Sequence, residues 1–196
     1  MTLTDMLTLV RRDLKDETAP FRWSDAELER HSLHAVKDFS EAVPYEQKAA
    51  IATTAGSMAL DISALTPRVM VEAVEYPVDR LPRHYQRYAL WGDIITLTGD
   101  DVPDGSSAYI YYGKLHTLDA STSTIPARFE DLVAIGAGGY AAMAWAAYAI
   151  NRVNTGGGMT PREFLSWGNQ TLALFRTELK RLGRRNRVRI RQLYTP

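Results

Sequence analysis

The chain has no cysteine. Disulfides, thiolate metal sites and thiol nucleophiles are therefore excluded. It has no acidic residue beyond Glu178. It also lacks the short patterns that place catalytic or phosphate-binding groups. No HExxH pair is present, no GxSxG elbow, and no glycine-rich loop ending in GK[ST]. The N-terminal MTLTDMLTLVRRDLKDE does not run from basic to apolar to small residues, so no export signal is expected. No internal repeat or low-complexity stretch stands out.

What is present is an ordinary globular composition with an unusual distribution of charge. The 196 residues are 45% hydrophobic and 23% charged, with no net charge. Seven of the 23 basic residues fall within residues 180–191. Residues 1–179 therefore hold 16 basic and all 23 acidic residues, a balance of −7. An acidic body with a basic tail points to a charged partner or to an assembly of unlike surfaces.

Helical spacing is clear at both ends of the chain. Leu3, Met6, Leu7, Val10 and Leu14 mark a first helix over residues 3–14. In WSDAEL, Ser24 and Glu27 form a capping box, and Trp23 and Leu28 stand at the positions of a hydrophobic staple. The stripe Leu28, Ser32, Ala35, Val36, Phe39 and Val43 follows, and Pro44 closes the helix. A third helix is expected over 126–153. A fourth starts at Thr160 and Pro161 and ends at Gly183, with Phe164, Leu165, Gly168, Leu172, Phe175, Leu179 and Leu182 as its stripe.

Between them, residues 46–118 read as one small antiparallel sheet, with Pro103, Asp104 and Gly105 making a turn in GDDVPDGS. The expected fold is mainly α within the α+β class. A four-helix core carries a small antiparallel β insertion and an extended C-terminal arm. In domain terms, residues 1–183 form a single domain, helical over 1–45 and 119–183 with the insertion at 46–118. Residues 184–196 form the arm.

Three stretches resemble functional sites. Glu27, His31, His34 and Asp38 line one side of the second helix at metal-ligand spacing, but no further ligand group accompanies them, and a polar flank is the better reading. NTGGGMTPRE puts glycines ahead of a helix N-terminus, a place where anions bind, but a flexible connection is favoured. LVAIGAGGYAAMAWAAYAI, residues 132–150, is long enough to span a membrane. Its Gly and Ala content favours a buried central helix. No metal, no cofactor and no catalytic set is expected. Trp167 and Leu174 lie off the fourth helix's stripe, where they read either as a subunit contact or as two scattered surface apolar residues.

The tail is the strongest feature. RVRIRQLY alternates, with Val188, Ile190 and Gln192 on one side and Arg187, Arg189, Arg191 and Leu193 on the other. That pattern reads as a docking strand that joins a partner's sheet. A DNA-binding tail and a merely solvated one are the alternatives.

FRWSDAELERHSLHAVKDFSEAVP, PARFEDLVAIGAGGYAAMAWAAYAINRV and the final RRNRVRIRQLY resemble, in pattern and order, the head–tail connector (adaptor) proteins of tailed bacteriophages. The resemblance covers nearly the whole chain and includes no catalytic fingerprint. It implies a structural, non-enzymatic subunit of a ring, commonly of twelve copies, at the capsid–tail junction of the virion, assembled in the host cytoplasm. The ring's partners are the portal protein, other copies of itself and a downstream neck or tail protein. DNA passes through the lumen without sequence-specific binding, and no membrane is involved. By position, Arg184, Arg185, Arg187, Val188, Arg189, Ile190, Arg191 and Tyr194 would dock on the portal. The loop with Asp100, Asp101, Pro103, Asp104 and Gly105 would face the tail side or a neighbour.

Overall fold

The computed structural model describes residues 1–149 and 160–192, with the side chains of residues 191 and 192 excepted. Among these, four α-helices and seven antiparallel strands form a mixed fold. The chain divides into two compact units. One comprises residues 1–43 and 116–183, the other residues 44–115 with 184–196.

In the first unit, α1 (Leu3–Leu14) and α2 (Asp25–Ala42) each begin with a capping box, Thr2 with Asp5 and Ser24 with Glu27. Their connection is tied down by one buried carboxylate. Asp16 accepts from the backbone N–H of Arg22 at 2.7 Å and of Trp23 at 3.3 Å, and from the Arg11 guanidinium at 2.7 Å. This seats Trp23, whose indole N–H donates to Ala141 O and whose ring packs against Trp145 and Phe164. Trp23 and Leu28 are both buried, as a staple requires.

α3 (Glu130–Ala149) is the centre of this unit. Its buried residues are nearly all Ala and Gly. It is long and apolar enough to cross a membrane, but more than half of its most apolar window is buried inside the protein. The small residues allow α4 (Pro161–Gln192) to lie close against it. A Cβ at Gly139 would sit 2.8 Å from Leu172 Cγ, and one at Gly136 would sit 2.8 Å from the Phe175 ring. From the other side, a Cβ at Gly168 would meet Met143 Cγ at 2.9 Å and Gly139 O at 3.2 Å. α4 starts as expected, with Thr160 and Glu163 bonded reciprocally. The expected helix end at 150–153 and the NTGGG stretch lie outside the described residues.

In the second unit, β1 (Tyr45–Ala52), β3 (Arg68–Glu75), β4 (Tyr85–Gln86) and β7 (Ser107–Lys114) form one sheet in the order β1-β7-β3-β4. β2 (Ala59–Asp61), β5 (Tyr88–Trp91) and β6 (Ile94–Leu97) form another, in the order β2-β6-β5. Alternation explains how they share a core. Ala108, Ile110 and Tyr112 of β7 point one way with Val71 and Val74 of β3, and meet Leu60, Ile95 and Leu97 of the second sheet in one apolar cluster.

Two expectations are corrected. The fold is not a mainly α four-helix core with a small β insertion. Seven strands in two sheets enclose an apolar cluster of their own. The strands are two to eight residues long, and short apolar runs do not reveal from sequence which sheet each will join. Nor is the C-terminal segment an extended arm beginning at Gly183, because α4 runs on to Gln192. Gly183 stops the helix only in the left-handed conformation, and it does not have positive φ. Inside a helix a glycine costs about 1 kcal/mol relative to alanine, and the Arg residues beyond it are good helix formers that also complement the helix dipole.

Two substitutions test these packing arguments. Asp16→Ala leaves Arg11 Nη1 and two backbone N–H groups without their acceptor, while Arg11 Nη2 keeps Trp23 O and Asp25, and is expected to destabilise the protein by about 2 kcal/mol in urea unfolding. Gly168→Ala raises helix propensity but forces its Cβ onto a backbone oxygen. A net loss of about 2 kcal/mol is expected, read as a lower thermal midpoint.

Candidate functional site

The site with the clearest chemistry is the last stretch of α4, within the second unit. At about 100° per residue, Arg187, Arg184, Val188 and Arg185 fall in that order on one arc, and Arg189, Asn186 and Ile190 on the other. Burial follows this division except at Arg189, which is half exposed. Arg184, Arg185, Arg187 and Val188 are exposed, Val188 to 58%, while Asn186 and Ile190 are partly buried. None of Arg184, Arg185 and Arg187 has an ion pair among the described residues. The outward arc is thus a cationic surface with an apolar residue near its middle.

Arg189 does something different. Its Nη2 lies 2.5 Å from Glu46 Oε1 on β1 and 3.3 Å from Glu72 Oε2 on β3. The same nitrogen donates to Asn186 Oδ1 at 2.9 Å. Glu72 is buried, and desolvation pushes its carboxyl above the usual range. Glu46 adds to that rise, and Arg189 opposes it. The helix end is therefore held to two strands by one guanidinium between two carboxylates.

The expected docking residues separate accordingly. Arg184, Arg185, Arg187 and Val188 face outward. Arg189, itself half exposed, is an anchor to Glu46 and Glu72, and Ile190 is partly buried. Arg191 lies in the helix with its side chain outside the described residues, and Tyr194 lies outside them altogether. The Glu46–Arg189–Glu72 cluster had no sequence signal, because Arg189 is 117 residues from Glu72.

The 99–106 loop is stitched down rather than free. Asp101 accepts from Gln86 at 2.7 Å and pairs with His84 at 3.0 Å. Asp104 accepts from the Tyr76 hydroxyl at 2.9 Å and from Ser106 N–H at 2.8 Å. Gly105, at φ 99, donates to Thr53 Oγ1, and Pro103 O accepts from Gly56 N–H. Pro103 is buried, while Asp100 and Val102 are exposed. The two remaining expected contact residues differ. Leu174 is 67% exposed, and Trp167 packs against the core of the first unit.

The four residues at metal-ligand spacing on α2 have separate tasks. Glu27 is held in its capping box, and His31 is buried with its imidazole pKa lowered by desolvation. The His34 ring stacks on Tyr140 at 4.1 Å, and the Tyr140 hydroxyl donates to Asp38. No group of three potential ligand residues occurs among the described residues.

One exposed feature was missed from sequence. Gly92, at φ 57, and Asp93 turn β5 into β6, and Trp91 beside them is 89% exposed. The Gly-Asp pair between two β-rich runs was the available signal. The Arg68 guanidinium holds this turn through Gly92 O at 2.8 Å and Asp93 Oδ1 at 2.5 Å.

No protein-family model matches the chain, and no curated protein matches it.

The loop carries a pH prediction. Hydrogen bonds from Ser106 and Tyr76 hold the Asp104 carboxyl down at about 2, below the ordinary value of about 4. A depressed carboxyl contributes stability above its unfolded value and loses it as pH falls through the folded one. Between about pH 4 and pH 2, wild-type stability should therefore fall more steeply than that of Asp104→Asn, measured as urea midpoints across the window.

Proposed function

We propose that the chain is a structural subunit of a head–tail connector in a tailed bacteriophage. In this reading it assembles as a ring beneath the portal, extends the DNA channel, and offers a platform to the next neck or tail protein. The observation that carries the reading is the end of α4. It presents three exposed guanidiniums without an ion pair among the described residues, on a chain whose first 179 residues carry −7. A ring joins unlike faces of identical subunits, and opposite charge on two parts of one chain suits such a contact. The order of elements supports it too. Two N-terminal helices, a β region and a helix of small residues lead into a long helix that runs into the basic segment.

The test is imaging of the purified protein alone and mixed with the portal of the same virus. Rings are expected on the portal, and truncation after Gly183 is expected to abolish attachment. Intact protein that stays monomeric and ignores the portal would overturn the reading. Tight, steeply salt-dependent binding to duplex DNA, lost on the same truncation, would favour a DNA-binding protein instead.

A further inference from the structure

We infer that the end of α4 docks as a preformed helix, and that its partner surface is an acidic protein groove with an apolar seat for Val188. This inference rests on the connector reading and assigns a chemistry to the partner.

The outward arc supplies the recognition. Arg184 and Arg185 precede Val188 by four and three residues, so both lie beside it on the helix surface. Arg187 flanks the other side of Arg184. A nucleic-acid backbone would neutralise these cations and leave the valine in water. A protein groove lined by carboxylates takes both, because it desolvates the valine while meeting each guanidinium with a planar acceptor. Arginine is also enriched at interfaces relative to the rest of a protein surface, where lysine is depleted. Complementing the helix dipole accounts for some cations at a helix C-terminus, but not for a 58%-exposed valine among them.

The inward arc supplies the preorganisation. Arg189, between Glu46 and Glu72, fixes the segment to β1 and β3 before any partner arrives. The ordering cost of docking is then met within the subunit, which raises affinity without adding a contact. Arg189 acts here as a positioning residue, its guanidinium engaged by Glu46 and Glu72. The docking set is thereby narrowed to Arg184, Arg185, Arg187 and Val188.

The test uses the full chain and the purified portal ring. Val188→Asp keeps the helix but places a carboxylate in an acidic groove, and Arg184→Glu/Arg185→Glu reverses two charges. Each is expected to weaken portal binding by about tenfold or more, with thermal midpoints unchanged because these side chains are exposed. Arg189→Gln is expected to weaken binding as well, and alone among the three to speed hydrogen exchange of the backbone amides of residues 184–190. If wild type binds the portal and neither outward variant changes affinity, the groove is overturned and the connector reading stands. If wild type does not bind, both fall. Amides 184–190 that exchange freely in the unbound wild type would overturn the preformed helix. Duplex DNA bound as tightly as the portal, with Val188→Asp neutral toward it, would replace the protein groove with a phosphate backbone.

Discussion

The helical unit depends on the close approach of α4 to α3. Gly136, Gly139 and Gly168 leave no room for a Cβ at the crossing, and the volume they free is filled by Phe175, Leu172 and Met143. Because the buried residues of α3 are almost all Ala and Gly, it contributes little apolar area itself and acts as a surface on which larger side chains seat. Met6 and Val10 of α1, Leu28, Val36 and Phe39 of α2, and Phe164 and Phe175 of α4 belong to the same cluster. A helix of larger residues would hold its neighbours further off and open voids between them, which interiors packed near crystal density tolerate poorly.

The β unit solves a different problem. Its strands are short, two to eight residues each. The two sheets pool their inward residues in one cluster, and polar contacts fix the turns. Arg68 holds the β5–β6 turn, and Tyr76, Gln86 and Thr53 hold the 99–106 loop. The end of α4 is tied to the same unit through Arg189, so the cationic surface is presented from a fixed helix.

Local sequence was a good guide where a single element decides the outcome. The caps at Ser24 and Thr160, the staple of Trp23 and Leu28, and the buried stripe of α2 all follow from spacings of three and four residues. It was a poor guide where two periods fit the same residues. RVRIRQ alternates like a strand, yet Leu182, Asn186 and Ile190 also recur every four residues, as on a helix. The helix already running through Leu182 settles the choice, because extending it adds one hydrogen bond for each residue fixed, while a new strand needs a partner edge.

The sequence by itself determined where charge and small residues lie. Seven basic residues near the end, an acidic remainder and an Ala/Gly helix are properties of composition and survive any fold. Only the tertiary structure decided what those charges do. Arg189 is an anchor because the chain brings Glu46 and Glu72 to one side of the helix, while Arg184, Arg185 and Arg187 face outward with no ion pair among the described residues. That division depends on contacts across more than a hundred residues, and no local period encodes it.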